Sequence, residues 1–278
     1  MVTRANQTAP TSSAALCVRA VREELSPVFS TLWTRTSCSP LVEFSRIPDG
    51  CADLIWCDGT IYVYGPDLSR AAIALASTAP LVGLRFRAGA AAKWLGVGAP
   101  EIVGVGLPLE FFGSGRAHDL ARSLGTRDES QALAVRLEEA LIPTVSDATV
   151  LERPCIDTVL ELLEREHAKG GFLNALRRAY DLSERSVRRE TMRVFGYGPK
   201  ALERIYRVQR FLRFARSPRP AKLAWLASAC GFSDQAHMTR EVRAIAGLTP
   251  NEAVRFARSP DASSPAELRL SVSFKTSP

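Results

Sequence analysis

Several features that would commit a chain to a particular chemistry are scarce here. The six cysteines (Cys17, Cys38, Cys51, Cys57, Cys155, Cys230) include no C-x-x-C pair, which excludes zinc-finger and thioredoxin-like spacings. The three histidines (His118, His167, His237) are just as scattered, so no local metal cluster is expected. Gly96, Gly98, Gly104 and Gly106 do not make a dinucleotide fingerprint. No stretch approaches ~18 uninterrupted apolar residues, and no charged segment leads into an apolar secretory core. The expectation is a cytoplasmic protein with free, buried thiols, no membrane partner, no metal and no cofactor.

What is present fits two domains. The chain has 278 residues, of which 46% are hydrophobic, enough for packed cores rather than global disorder. Its formal charge of +7 is unevenly placed. Residues 1–150 hold 13 Lys and Arg against 15 Asp and Glu, while residues 151–278 hold 23 against 14. A near-neutral front half joined to a basic back half suggests a sensor or assembly domain carrying a polyanion binder.

The front half reads as short strands and turns. Val42–Phe44, Ala52–Trp56, Ile61–Tyr64 and Leu81–Phe86 are extended candidates, with Asp58-Gly59 making a hairpin turn and a short helix expected over Ala88–Gly96. Leu16–Thr36 is ambiguous, and Pro27 breaks any helix there. Asp128–Leu141 reads as an amphipathic helix with Leu133, Leu137 and Leu141 inward, ended by Pro143. The fold class is therefore α+β: a β-rich N-terminal domain, a small barrel or sandwich with a few helices, followed by an all-α C-terminal domain. The expected divisions are a disordered 1–15, a regulatory or dimerisation domain at 16–143, a linker at 144–154, the basic helical domain at 155–258 and a loose tail at 259–278.

The back half is organised around Lys222–Arg255, KLAWLASACGFSDQAHMTREVRAIAGLTPNEAVR. It reads as a short helix, a turn at Gly231-Phe232, a second helix capped by Ser233 or Asp234, and a Gly247-x-x-Pro250 stop. Met238, Val242 and Ile245 fall inward at helical spacing. The pattern recurs 51 residues upstream, where Arg189-Glu190, Gly196, Pro199 and Arg204 match Arg240-Glu241, Gly247, Pro250 and Arg255. There Ser183–Phe195 is the second helix, with Val187 and Val194 inward and Thr191 or Met192 between them. A first helix is expected at Phe172–Tyr180, behind another over Cys155–His167. Two helix–turn–helix units in tandem follow, because chance amphipathic helices do not repeat their stop signals. Lys200–Arg216 joins the units as a helix with Leu202, Ile205, Val208, Leu212 and Ala215 inward and Arg204, Arg207, Arg210 and Arg213 every third residue.

GFSDQAHMTREVRAIAGLTP resembles the second helix–turn–helix of the AraC/XylS transcription regulators, and LSERSVRRETMRVFGYGPKAL the first. IPDGCADLIW, YGPD and VGLRFRAGAAAKWLGV are similar to a poorly characterised domain found ahead of such modules. The resemblance implies a sequence-specific regulator whose two recognition helices read successive major grooves of double-stranded DNA. It assigns base contact to Arg185, Arg188, Arg189, Gln235, His237 and Arg240. It places Thr239 for phosphate contact; Ser183 at its helix cap and Arg204 and Arg207 on the basic face of the joining helix are further expected phosphate contacts, and Gly196, Pro199, Gly231, Phe232, Gly247 and Pro250 are the expected turn residues. Arginine suits this work because its planar fork bonds guanine O6 and N7 together. Ala236 departs from the pattern, since it offers a thymine methyl contact and no hydrogen bond. The implied partners are promoter DNA, RNA polymerase, a small-molecule effector and a second copy. No enzymatic activity is expected; the Pro-Cys-His-Arg acceptor motif of alkylation-repair relatives is absent. Two alternatives remain: an enzyme or thiol-reactive sensor acting through Cys51 near Asp53, and an architectural protein without sequence preference.

Overall fold

The computed structural model describes residues 16–35, 41–77, 80–113, 120, 130–147, 183–217 and 222–258. The helices expected over Cys155–His167 and Phe172–Tyr180, the N-terminal stretch 1–15 and the tail 259–278 lie outside the described residues, as does most of the linker.

Eight strands carry the N-terminal domain: β1 (Leu16–Ala20), β2 (Phe29–Arg35), β3 (Leu41–Arg46), β4 (Asp53–Cys57), β5 (Thr60–Tyr64), β6 (Ala71–Ala76), β7 (Leu81–Phe86) and β8 (Gly106–Pro108). Six form an antiparallel sheet in the order β1-β2-β7-β4-β5-β8, and β3 pairs with β6 in a second, two-stranded sheet. The described strands close no barrel. The ambiguous segment after Leu16 is a strand pair, with Pro27 in the connection between β1 and β2. The β4–β5 hairpin turns at Asp58-Gly59, both with positive φ (45° and 83°), the geometry whose twist matches flanking strands. β6 carries no strand signal of its own in sequence, because its alanines favour helix. It is a strand because Ile73 and Leu75 alternate inward and β3 supplies the ladder.

β4 and β7 are buried along their whole length, so successive residues feed two cores. Leu54, Trp56, Val82, Leu84 and Phe86 pack under helices α1 (Ala90–Leu95) and α2 (Ser130–Asp147). On the opposite face Trp33, Ile55, Cys57 and Leu81 meet Ile73 and Leu75 of the small sheet. Gly83 makes this possible, since a Cβ there would lie 2.1 Å from the Trp33 ring.

α2 does not stop at Pro143, which lies inside the helix. The proline ring lies on the exposed face of the helix, while Leu141 and Val145 on either side are buried. Thr144 accepts from Trp94 Nε1 at 3.2 Å, so packing holds the last turn despite the proline. Glu138 on α2 is 1% exposed and takes both guanidinium nitrogens of Arg19 at 2.6 and 3.0 Å plus the Arg22 amide at 3.0 Å. That fork ties the helix to the edge strand.

The C-terminal domain is helical: α3 (Glu184–Phe195), α4 (Pro199–Ala215), α5 (Leu223–Ala229), α6 (Gln235–Ala246) and α7 (Pro250–Arg258). The stripe Leu202, Ile205, Val208, Leu212 and Ala215 of α4 is buried, together with Tyr206 and Phe211. The same core takes in Ile47, Cys51 and Ala88 from the N-terminal domain, so the two domains share apolar packing. No described helix is long and apolar enough to cross a membrane.

Candidate nucleic-acid interface

The 51-residue repeat survives as geometry. α3 and α6 are both 12 residues long, and each begins on a side-chain cap one offset apart. Ser183 Oγ accepts from the Ser186 amide at 3.1 Å, and Asp234 Oδ1 accepts from the His237 amide at 2.6 Å. This bonding holds the Asp234 carboxyl below the usual carboxylate range, the His237 amide being the main cause. Val187, Thr191, Val194 and Phe195 are buried on α3, and their counterparts Met238, Val242, Ile245 and Ala246 are buried on α6. Of the pair Thr191 and Met192, threonine takes the inward place, its hydroxyl donating to Arg188 O at 3.1 Å.

Both helices end in left-handed glycines, Gly196 (φ 79°) and Gly247 (φ 64°), and the next helix opens on Pro199 or Pro250. Proline is suited to that first position because its missing N–H has no helical partner anyway. Gly231 also has positive φ (81°), and Phe232 is buried below it with the His237 ring edge-on at 5.6 Å.

With the inward faces accounted for, the outward faces follow. Arg185, Arg188 and Arg189 on α3 are exposed, as are Gln235, Ala236 and Arg240 on α6. Among the described residues none of these four arginines is in an ion pair. The acidic residues next to them hold other partners instead: Glu190 pairs with Arg193, and Glu241 pairs with Arg204 at 2.8 Å. Arg189 and Arg240 therefore stay available for an outside partner. His237 is half-buried, and its Nδ1 accepts from the Ser233 amide at 3.3 Å; the neutral ring then carries its proton on Nε2. Thr239 donates to Gln235 O at 2.9 Å.

The basic stripe of α4 is more engaged than a solvated face. Arg204 bolts α4 to α6 through Glu241, and Arg207 pairs with Glu203 at 2.9 Å with its guanidinium over the Phe232 ring. Arg210 lies over Phe214, which in turn meets the exposed Trp225 edge-on at 5.7 Å.

Cys51 has the environment of a packed residue. It is 5% exposed, and burial, reinforced by Asp49, pushes its thiol up to about 12. An activated thiolate needs the opposite. Among the described residues no group of three or more His, Cys, Asp or Glu side chains is placed to hold a metal ion.

Sequence reading missed the residues that join the domains. Gln209 Nε2 donates to Pro48 O at 2.7 Å, and the Arg70 amide donates to Ile245 O at 2.8 Å. The Arg70 guanidinium lies over Phe256 and donates to Ser45 Oγ at 3.0 Å. The place where a Cβ on Gly50 would sit is 3.3 Å from the Tyr197 hydroxyl. The Pro-Asp-Gly turn was a visible signal for Gly50; no local pattern links Arg70 to Ile245.

Residues 176–255 match a family model described as a helix-turn-helix domain, and residues 21–108 match a domain of unknown function, DUF6597. A search of curated proteins gives no match. Among solved structures, a probable AraC family transcriptional regulator from Rhodopseudomonas palustris CGA009 is 25% identical, with 38% of this chain and 99% of that chain covered and a TM-score of 0.33. ToxT from Vibrio cholerae O395 bound to (E)-4-(8-methylnaphthalen-1-yl)but-3-enoic acid is 9% identical, covering 88% and 98%, with a TM-score of 0.44. Unsaturated fatty acid-bound ToxT from Vibrio cholerae strain SCE256 is also 9% identical, covering 90% and 98%, at 0.42. TM-scores this low carry no argument, and what stands is the two domain matches. The chain carries an AraC-type helix–turn–helix domain over residues 176–255, behind a domain of unknown function over residues 21–108.

Proposed function

We propose that the protein binds specific duplex DNA through both helix–turn–helix units, with α3 and α6 reading successive major grooves. The observation that carries this reading is the duplicated geometry: two capped helices of equal length, each holding ion-pair-free arginines outward. The 17 residues of α4 span roughly 26 Å at ~1.5 Å each. That is compatible with elements about one DNA turn, ~34 Å, apart. Arg185, Arg188, Arg189, Gln235, His237 and Arg240 are the proposed base readers. Ser183, Thr239, Arg204 and Arg207 flank them as phosphate contacts, each already held by an internal bond that would orient it. Control by a small effector, pairing with a second copy and an encounter with RNA polymerase belong to the same proposal. The N-terminal domain is the natural place for the first two, since it shares a core with the DNA-binding domain.

Selection of bound duplexes from a random pool at physiological salt tests the reading. An asymmetric motif with two elements about ten base pairs apart is expected. A pool with no enrichment sinks it in favour of binding without sequence preference.

A further inference from the structure

The N-terminal domain touches the DNA-binding domain at three places, and each bears on how the two recognition helices are held. The first is the end of α3. A Cβ on Gly196 would lie 2.5 Å from the Ala99 carbonyl oxygen and 2.5 Å from Val103 Cγ2, so that helix terminus sits directly on the backbone of residues 99–103. The second is α4, where Gln209 bonds Pro48 O and Tyr197 and Tyr206 pack against Gly50. The third is the end of α6. There Ile245 O receives the Arg70 amide, and Arg70 Cδ lies 3.4 Å from the Cβ position of Gly247. Gly196 and Gly247 are equivalent in the repeat, so the same point of both units is gripped.

These grips are parts of one braced body. Arg46 is 3% exposed and sits between the loops that carry them. It donates to Cys51 O and Gly65 O at 3.0 Å each, and lies 3.4 Å from Asp53 and 3.5 Å from Asp67. Arg85 holds Asp49 in the first loop, whose other carboxylate oxygen accepts from the Cys51 amide. The Gly65 amide donates to Val105 O at 2.8 Å and the Gly104 amide to Pro66 O at 2.9 Å, which ties the Arg70 loop to the segment under Gly196. The outward faces of α3 and α6 remain exposed throughout. The domain therefore grips the module from behind, in a state that leaves its reading faces open.

We propose that the N-terminal domain is a splint that fixes the separation and rotation of the two recognition helices, so that it sets the spacing between DNA elements the chain accepts. Arg70 and Gln209 are its positioning residues. The inference rests on the reading of both units as DNA readers. One inserted base pair moves the second element by ~3.4 Å and about 34° around the axis. A module hinged on α4 alone follows such a change by bending or repacking one helix. A module held at three points, two of them hydrogen bonds of 2.7 and 2.8 Å, must break one of them.

The test uses the full chain and the double variant R70A/Q209A, with thermal unfolding to show that both are folded. Binding is measured to three duplexes: the selected two-element site, the same site with one base pair inserted, and the first element alone. The splint predicts that wild type penalises the insertion strongly and that the variant, which loses the Gln209 bond to Pro48 O and the Arg70 guanidinium over Phe256 but keeps the Arg70 amide, loses about tenfold of that penalty. Affinity for the single element stays unchanged. Equal insertion penalties in both proteins, with the two-element preference intact, overturn the splint, as does a uniform loss on all three duplexes. Wild type that treats one and two elements alike removes the dual-reader reading itself, and the splint with it.

Discussion

Replacing Gly196 by alanine, with Gly247→Ala as its internal control, probes the contact between the domains through stability alone. Both glycines sit at the same place in the repeat and both have positive φ, 79° and 64°. Alanine in that region costs roughly 1–2 kcal/mol from its Cβ alone. The opposing gain from a stiffer unfolded chain, about 0.4–1 kcal/mol, is shared by both sites and cancels in the comparison. The surroundings differ. At Gly247 the new methyl meets Arg70 Cδ at 3.4 Å, ordinary contact with a side chain that can shift. At Gly196 it would be 2.5 Å from the Ala99 carbonyl oxygen, a backbone atom that moves only if the domains separate or the 3₁₀ turn Ala99–Ile102 deforms. Overpacking of this kind costs about 1–3 kcal/mol more. Urea denaturation followed by circular dichroism should therefore place Gly247→Ala roughly 0–2 kcal/mol below wild type and Gly196→Ala roughly 1–5 kcal/mol below, with about 1–3 kcal/mol between the two. Equal losses at the two sites refute the reasoning, because they would leave backbone strain as the whole effect and no closely packed terminus under α3.

Arg188→Ala should weaken binding to a selected site by ~1–3 kcal/mol and relax the preference at one base position; a fluorescence anisotropy titration against single-base variants of the site reads both effects. Ser183→Ala removes the cap of α3 and should lower stability by about 1 kcal/mol in the same denaturation assay. The Asp234 carboxyl is lowered in the folded state, so its contribution is present above the ordinary Asp range and lost as pH falls through the folded value. Asp234→Asn should accordingly flatten the acid limb of the stability profile by lowering the neutral plateau towards the acid value, since the amide caps the helix without the charge; thermal melts from acidic to neutral pH will show this. Native protein treated with a thiol reagent at neutral pH should label at exposed Cys17 and not at buried Cys51, Cys57 or Cys230, as peptide mass mapping would reveal; prompt labelling of Cys51 would revive the sensor alternative.

The sequence by itself determined the elements whose signals are local. The cap at Ser183, the glycine and proline stops and the inward stripe of α4 all depend on residues within a turn or two of one another, whereas the second unit's cap is open between Ser233 and Asp234 in sequence and only the structure puts Asp234 in that place. The repeat offset of 51 made each unit a check on the other. The apolar runs of β4 and β7 and the alternating residues of β5 were legible for the same reason, since a strand buried on both faces or on one advertises it residue by residue.

What the tertiary structure decided depends on partners far along the chain. β6 is a strand because β3 pairs with it, against the helical preference of its alanines. α2 runs through Pro143 because Trp94, fifty residues away, bonds the turn beyond it. Glu138 reads as surface charge in a helix pattern, yet Arg19 and the Arg22 amide draw it inside. Among the arginines, repeat position alone did not separate Arg204, committed to Glu241, from Arg189 and Arg240, left outward. The braced contact between the domains lies furthest from sequence: Arg46, Arg70, Gly50 and Gln209 acquire their roles only when loops distant in the chain are folded onto the ends of two helices.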